Sequence, residues 1–332
     1  MKILVTGAGG FIASHLTERL VKLGHSVKAF LHYNSKNYWG WLEESDCLDE
    51  IEVISGDIRD YDSVNNSISA CDMVFHLAAL IGIPYSYVSP LAYIKTNVEG
   101  TYNVLEAARS KGVRVVHTST SEIYGTAQYV PIDEAHPVNP QSPYAATKSS
   151  ADSLALSYYR SFDLPVVVVR PFNTYGPRQS ARAIIPTVIS QIIDGKSRIS
   201  IGNLTPTRDM TYVSDTVEGF IAAGFSEATS GEVLNLGTGE EISIGELINK
   251  ISSIMGMDTE TENAPERMRP AKSEVERLLS DPRKMYSLTN WKAKVSIEEG
   301  LSETIAWMKQ KKNMYSGPNV GVQYMMDTSE KK

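Results

Sequence analysis

The sequence has little cysteine, no paired histidines and no long apolar run. Its 332 residues include two cysteines, Cys47 and Cys71, whose spacing fits neither a disulfide framework nor a zinc cluster. The six histidines form no H-x-x-H or HExxH pair, so no metal site is expected. No stretch approaches the ~18–20 apolar residues of a membrane span. The apolar run after Lys2 enters a glycine turn, unlike a signal peptide, so we expect a cytoplasmic protein.

The charge balance excludes a second group of functions. The net charge of −7 argues against a broad surface for nucleic acid or anionic membranes. Hydrophobic residues make up 42% of the chain, which is ordinary globular usage and excludes disordered, collagen-like and coiled-coil classes. At about 150 residues per domain, the length predicts roughly two domains.

Short apolar runs alternate with amphipathic stretches in the first half. Ile3–Thr6 and Val166–Arg170 are typical of buried strands, and Phe11–Leu23 is typical of a helix. Such alternation predicts an α/β fold with a Rossmann-type, doubly wound parallel sheet. After Asn173 the pattern loosens. We therefore expect a Rossmann domain over 1–173 to which about 209–238 returns, a smaller α/β substrate-binding domain mainly over 174–312, and a polar tail over 313–332.

A glycine-rich turn follows the first strand and opens the first helix. Glycines allow a tight turn and close approach of the backbone to a pyrophosphate, while the helix N-terminus offers free N–H groups. The strand–turn–helix context favours a dinucleotide site over an ordinary turn. The candidate residues here are Gly7, Gly9, Gly10, Phe11 and Ile12.

The second strand ends without the carboxylate that holds the adenosine ribose in many NAD enzymes. Asn34, Ser35 and Lys36 stand there instead. They suit a 2′-phosphate, yet Asn and Ser also bind a free ribose, so NAD and NADP both stay open. Asp57, with Ile58 beside it, follows the third strand and is a candidate for the adenine amine, or a plain turn residue.

A candidate catalytic group combines a helix with the end of a strand. Tyr144 and Lys148 stand four residues apart and share one helix face. A nearby ammonium and a cationic cofactor ring lower a phenol's pKa, which makes Tyr144 a usable base during hydride transfer. Thr120-Ser121-Glu122 ends the preceding parallel strand, where ligands of such sheets bind.

Together these motifs resemble the extended short-chain dehydrogenase/reductase family, in its nucleotide-sugar branch. The resemblance runs from Thr6 to about Trp291. Its motifs are Gly7-Ala-Gly-Gly10, Asp57, His76-Leu77-Ala78-Ala79, Thr96-Asn97-x-x-Gly100-Thr101, Tyr144/Lys148, Arg170-Pro-Phe-Asn173-x-Tyr-Gly-Pro177-Arg178 and Arg208-Asp209-x-x-Tyr212-Val213-x-Asp215.

The resemblance implies roles for the catalytic group. Tyr144 is the base at the carbon 4 hydroxyl of a sugar, Lys148 binds the nicotinamide ribose, and Thr120 hydrogen-bonds the same hydroxyl. Family 4,6-dehydratases carry Thr-Asp-Glu or Thr-Ser-Glu at this place. Glu122 then removes the carbon 5 proton, and Ser121 assists departure of the carbon 6 hydroxyl. A structural hydrogen bond is the alternative role for Glu122, because some UDP-glucuronate decarboxylases also carry Thr-Ser-Glu.

The second half supplies candidate substrate contacts. Guanidinium groups suit bidentate contact with a diphosphate, and the resemblance matches Arg208 and Arg269 to such contacts. Asn173 matches a sugar or phosphate contact, and Glu274 a nucleotide-ribose contact. Each arginine has a solvated surface charge as its alternative. The remaining candidates are Arg178, Arg182, Tyr85, Ser86 and Tyr87.

Three stretches point to a narrower branch. Tyr33–Leu42, Ile83–Pro90 and Gln179–Pro186 look like the nucleotide-N-acetylglucosamine 4,6-dehydratases of legionaminic acid biosynthesis. A related 5,6-dehydratase has similar stretches. The leading hypothesis is an NAD(P)-dependent 4,6-dehydratase of UDP- or GDP-N-acetylglucosamine that regenerates its cofactor each turnover.

Other functions stay open at this point. A 4-epimerase or a UDP-glucuronate decarboxylase shares most motifs, and a dinucleotide-sensing scaffold is the non-enzyme alternative. The resemblance also implies a homodimer through helices around Thr96–Lys111 and Tyr144–Phe162. Small residues there allow close contact either between subunits or within one: Ala145, Ala146, Ala151, Ala155 and Ser157.

Overall fold

The computed structural model describes residues 1–264 and 270–315. The β-strands in this part of the chain are β1 (Lys2–Thr6), β2 (Ser26–His32), β3 (Ile51–Gly56), β4 (Met73–His76), β5 (Arg114–Thr118), β6 (Val166–Pro171), β7 (Asn173–Tyr175), β8 (Arg198–Ile201), β9 (Thr207–Arg208), β10 (Met210–Tyr212), β11 (Val233–Leu236), β12 (Ile242–Ser243), β13 (Glu260–Asn263) and β14 (Arg277–Leu278).

Helices cover the strands and also pack together in the second half. The α-helices are α1 (Phe11–Lys22), α2 (Tyr61–Ile68), α3 (Ile83–Val88), α4 (Pro90–Tyr93), α5 (Gly100–Lys111), α6 (Pro143–Phe162), α7 (Ile184–Ile193), α8 (Val213–Phe225), α9 (Ile244–Met255), α10 (Arg283–Thr289), α11 (Ile297–Gln310) and α12 (Lys312–Tyr315). A π-helical segment, Ile94–Glu99, leads into α5. No helix in the described ranges is long and apolar enough to cross a membrane.

Seven parallel strands form the central sheet, in the order β11-β6-β5-β4-β1-β2-β3. The predicted doubly wound Rossmann-type fold is confirmed. Every residue of β6 is buried because helices cover both faces of the sheet. The strand order reverses between β1 and β4, and ligands of such sheets bind in the crevice at this point. Strand β11 crosses back from the second half to pair with β6.

The second half carries its own small sheets and an apolar core. The sheets are β10-β7, β12-β9-β14 and β13-β8. Helices α7, α9 and α11 pack together through buried side chains such as Ile189, Ile248 and Ile305. Ser243 and Ser296 begin α9 and α11 with capping boxes, each accepting a bond from the backbone of a Glu three residues on.

Candidate active site

The glycine loop forms a cradle at the end of β1. Gly7 has a φ of 70°, and a Cβ there would lie 2.9 Å from Ala78 Cα. A Cβ on Gly9 would lie 2.5 Å from the carbonyl oxygen of Trp39. The N-cap residue of α1 is Gly10, which offers no side-chain cap, whereas the Ser142 side chain caps α6. Because no side chain caps α1, its first N–H groups suit an anion such as a pyrophosphate. Phe11 and Ile12 form this first turn.

Replacing Gly7 with alanine should cost more stability than the same change at Gly24. Both glycines have positive φ, but nothing lies within 4 Å of a Cβ on Gly24. We expect Gly24→Ala to lower the free energy of unfolding by about 1 kcal/mol, the strain of a positive φ alone. Gly7→Ala adds a backbone clash and should cost at least about 2 kcal/mol. Denaturant unfolding of both variants measures the difference, and equal losses would contradict the close approach.

The segment after β2 lies over the glycine loop. Asn34 closes its own turn, because its amide oxygen accepts from Lys36 N and Tyr38 N and its amide nitrogen donates to Tyr38 O. Ser35 and Lys36 are exposed. Trp41 N donates to Gly9 O at 3.1 Å. The candidate adenosine contacts therefore lie on a turn that is tied to the pyrophosphate cradle.

The ends of β3 and β4 complete the candidate cofactor site. Asp57 accepts bonds from the Arg59 guanidinium, whose hydrogen bonds hold the pKa of this carboxyl below its usual value. The Ile58 side chain is buried, and a Cβ on Gly100 would touch it. The β4 end supplies Leu77, Ala78 and Ala79, where Ala78 N donates to Thr6 Oγ1.

The structure brings Tyr144, Lys148 and Thr120 together. The Thr120 hydroxyl lies close enough to the Tyr144 phenol to lower its pKa. Lys148 Nζ donates to Thr118 O at 2.5 Å, so the helix α6 is tied to the end of β5. Ser142 caps α6, accepting from Ala145 N, and thereby fixes the first turn that carries Tyr144. Tyr144 and Lys148 are both buried.

Burial controls the charge of this group. It raises the pKa of the Tyr144 phenol, the bond with Thr120 lowers it, and the Glu122 carboxylate raises it. Burial also lowers the pKa of Lys148 to about 8, and the Asp152 carboxylate opposes that shift. A positive charge next to Tyr144 would therefore be needed to make its phenol a base near neutral pH.

Ser121 and Glu122 begin a short 3-10 turn that runs from Ser121 to Tyr124. Thr120 caps this turn by accepting a bond from Glu122 N. Ser121 is buried, whereas Glu122 is partly exposed. The carboxylate lies close enough to Tyr144 to act on its charge. This short turn thus brings a carboxylate close to the candidate base.

Helix α3 packs on the candidate base Tyr144, and its side chains make different contacts. Tyr85 packs on a buried cluster that contains Ile83 and Tyr144. The Tyr87 hydroxyl lies 2.5 Å from Ser273 Oγ, which ties α3 to the segment after residue 270. Ser86 is fully buried, and its hydroxyl donates to Ile83 O. The structure therefore does not support Ser86 as a substrate contact, because its buried hydroxyl bonds the carbonyl one turn back.

A cavity in the second half gathers four of the candidate substrate contacts: Asn173, Arg182, Arg208 and Glu274. Arg208 is buried, donates to Thr207 O and lies 3.7 Å from Glu274. Two guanidinium groups in one cavity suit an anionic ligand. Sequence reasoning missed the Gly202-Asn203 part of the lining, although a Gly-Asn pair after an apolar run is a turn signal.

The candidate Arg178 does not line this cavity. Arg178 donates to Glu18 Oε1 at 2.9 Å and to Ser14 Oγ at 3.1 Å, which fastens its loop to α1. The Arg178 guanidinium therefore pairs with Glu18 on α1 and joins the two halves of the chain. It does not contribute a charge to the cavity. Arg269 lies outside the described residues, as does the tail beyond Tyr315.

Comparison with known proteins identifies the family of the chain. Residues 4–304 match the family described as GDP-mannose 4,6 dehydratase. The chain belongs to this family. It is similar to a UDP-glucose 4-epimerase of Mycolicibacterium smegmatis, at 35% identity over 94% of this chain and 99% of that protein. It is similar at 34% identity to a UDP-N-acetyl-alpha-D-glucosaminuronate decarboxylase of Bacillus cytotoxicus, over 94% and 99% of the two chains.

A solved structure of this family extends the likeness to the fold. It is DesIV, a dTDP-glucose 4,6-dehydratase from Streptomyces venezuelae, which contains NAD. The TM-score is 0.86 at 27% identity, over 95% of this chain and 99% of that one. The chain is therefore a nucleotide-sugar dehydratase, epimerase or decarboxylase by family. These relatives catalyse different reactions, so the site's own residues have to distinguish among them.

Proposed function

We propose that the protein is an NAD-dependent nucleotide-sugar 4,6-dehydratase that acts on UDP- or GDP-N-acetylglucosamine. The observation that carries the proposal is the short turn capped by Thr120, which places the Glu122 carboxylate near Tyr144. Oxidation at carbon 4 alone needs no second base. A carboxylate at this place serves a further step, the removal of the carbon 5 proton.

The oxidation step uses α6 and the end of β5. Tyr144 takes the proton of the carbon 4 hydroxyl, Thr120 orients that hydroxyl, and Lys148 holds its ammonium beside the phenol. When bound at the glycine cradle, NAD supplies the hydride acceptor and a positive ring. NAD is preferred over NADP because relatives with this fold contain NAD, and Lys36 is the one cation among the three candidate contacts for a 2′-phosphate.

The elimination step uses the 3-10 turn. Once carbon 4 is a ketone, the carbon 5 proton is acidic, and Glu122 removes it. The Ser121 hydroxyl assists departure of the carbon 6 hydroxyl as water. A hydride then returns to carbon 6 while a proton is added at carbon 5, so the product is a 4-keto-6-deoxy sugar and the cofactor is regenerated.

The two halves of the chain bind different ligands in this proposal. We assign residues 1–173, with 209–238, to the cofactor, and mainly 174–312 to the nucleotide. Arg182 and Arg208 suit the diphosphate, and Glu274, which lies 3.7 Å from Arg208, suits the hydroxyls of the nucleotide ribose. The preference for N-acetylglucosamine rests on the three stretches that resemble the legionaminic acid enzymes.

A 4-epimerase is the second candidate function. It is supported by the 35% identity to a UDP-glucose 4-epimerase. In such an enzyme Glu122 has only a structural role, and substrate and product have the same mass. The 5,6-dehydratase would lose water but leave an exocyclic alkene, and a decarboxylase would release carbon dioxide.

The proposal is tested by the mass of the product. Purified protein is incubated with UDP- and GDP-N-acetylglucosamine, UDP-glucose and UDP-glucuronate in parallel. We expect loss of one water from an N-acetylglucosamine donor and a new carbon 6 methyl signal in proton NMR. An unchanged mass with inverted carbon 4 would replace this function by the epimerase, and release of carbon dioxide from UDP-glucuronate alone would replace it by the decarboxylase.

We also propose that the protein is a cytoplasmic homodimer that pairs through α5 and α6. Ala145, Ala151 and Ala155 are buried within the subunit, so they pack α6 on its own sheet. The outer surface of these helices instead exposes Tyr102 and Phe162, apolar groups that a second subunit would cover. Light scattering of the purified protein should give twice the chain mass.

A further inference from the structure

Buried polar side chains lie side by side in the central sheet beneath helix α6. They stand at the carboxyl ends of adjacent strands of the central sheet, and none is more than 6% exposed: Thr6, His76, His117, Arg170 and Asn235. Thr6 is the register partner of His76, and His76 is the partner of His117. Asn235 is likewise the partner of Arg170. Burying polar side chains costs free energy unless they are hydrogen-bonded or paired with a charge. The partners of this row therefore indicate what it contributes to the site.

Asp152 on α6 is the acidic member of this group. It is 3% exposed. Its Oδ2 accepts from Ser119 Oγ at 2.7 Å and from Arg170 Nε at 3.1 Å. Its Oδ1 lies 3.4 Å from His117 Nε2. Although burial opposes ionisation, the contacts with His117, Arg170 and Ser119 hold the pKa of this carboxyl below its usual value.

These contacts join the two halves of the catalytic group. Asp152 stands one helical turn beyond Lys148 and two beyond Tyr144, so all three share a face of α6. Ser119 immediately precedes Thr120, whose hydroxyl lowers the pKa of Tyr144. The bond between Ser119 and Asp152 therefore fixes α6 against the strand end that carries Thr120, Ser121 and Glu122.

The charges around Lys148 come from several elements. His76 on β4 and His117 on β5 face it, and burial and the Lys148 charge lower the pKa of both imidazoles, which keeps them neutral. Arg170 on β6 adds a positive charge that is paired with Asp152. Tyr144 lies on the same helix, with Glu122 beyond it. Among these groups, Asp152 is the anion that opposes the desolvation of Lys148.

We propose that Asp152 is a positioning residue for the proposed oxidation step: it braces α6 against Ser119 and keeps the Lys148 ammonium charged beside Tyr144. The inference rests on the proposed function, because the consequence for catalysis requires Tyr144 to act as the base. In the proposed step Lys148 acts on Tyr144 and the cofactor, whereas Asp152 acts only through Lys148 and Ser119.

Two substitutions separate the charge from the brace. Asp152→Asn keeps an acceptor for Ser119 but removes the charge, so the alkaline limb of the kcat profile should move about one pH unit lower, as Lys148 loses its proton more readily. Ser119→Ala keeps the charge but removes the brace, so kcat should fall about fivefold with the limb unmoved. Asp152→Glu should restore the limb. Asp163→Asn, at the exposed end of the same helix, should change nothing.

A direct titration of Lys148 gives a second readout. The full chain is labelled with 13Cε-lysine, and its Lys148 NMR signal, assigned with Lys148→Arg, is followed against pH. We expect a lower midpoint in Asp152→Asn than in the wild type. Equal midpoints and superimposable pH profiles would overturn the charge role, and wild-type kcat in Ser119→Ala would overturn the brace. If the wild type turned over no nucleotide sugar, the proposed function would fail while the NMR comparison still decided the role of Asp152.

Discussion

Tyr144→Phe should abolish reduction of the bound cofactor by substrate while leaving the fold intact. The substitution removes the phenol that the proposed mechanism uses as the base at the carbon 4 hydroxyl, next to Thr120. A positioned general base contributes about 10²–10⁴-fold, so we expect kcat to fall about 10³-fold. The phenyl ring still fills the buried cluster around Tyr93, so the free energy of unfolding should change little. Stopped-flow absorbance of the nicotinamide measures the step.

Tyr159→Phe is the matched control for this experiment. Tyr159 lies on the same helix with its side chain at the surface, so loss of its hydroxyl should leave kcat at the wild-type value. Binding of a nucleotide sugar to Tyr144→Phe, followed by calorimetry, should also persist. A variant with near wild-type cofactor reduction would show that another group removes the carbon 4 proton.

Glu122→Gln should stop the reaction after oxidation. The amide keeps the size of the side chain but cannot take the carbon 5 proton, so the elimination should slow about 10²–10⁴-fold. The cofactor then stays reduced, and the nicotinamide absorbance should rise once and not decay. The 4-keto sugar with its carbon 6 hydroxyl should be recovered by mass spectrometry after rapid quenching.

The outcome for Glu122→Gln divides the dehydratase from the epimerase. Glu276→Gln is the control and should behave as wild type. Glu276 is exposed, and its neighbour Val275 packs with Ile123 of the turn that carries Glu122. Normal formation of the keto-deoxy sugar by Glu122→Gln would return Glu122 to a structural role in its turn. Loss of the oxidation step as well would mean that Glu122 acts earlier, on Tyr144 itself.

The sequence predicts the central sheet because its signal is local. Runs such as Val166–Val169 are apolar on both faces, which favours a strand covered on both sides. The glycine turn after Thr6 then places the cradle at the reversal of strand order. Tyr144 and Lys148 were predicted to share a face, and the structure places both against the end of β5. Helix periodicity and the polarity of parallel sheets were enough for this part of the candidate site.

The contacts that the sequence does not predict are made between distant parts of the chain. Arg178 pairs with Glu18, which is about half the chain away, and no local sequence pattern predicts that partner. Ser86 looks available in sequence, but the turn of α3 directs its hydroxyl to Ile83 O. The row that includes His76 and His117 depends on the register of neighbouring strands, which spacing along the chain does not give.

The path of one hydrogen tests the central claim most directly. UDP-N-acetylglucosamine carrying deuterium at carbon 4 is converted by the enzyme in ordinary water, and the product is examined by NMR and mass spectrometry. A GDP-linked donor is run alongside. Our account predicts that, in the wild-type enzyme, the deuterium leaves carbon 4 and reappears in the carbon 6 methyl group as CH₂D. Deuterium retained at carbon 4 of an epimerised or unchanged sugar would contradict it.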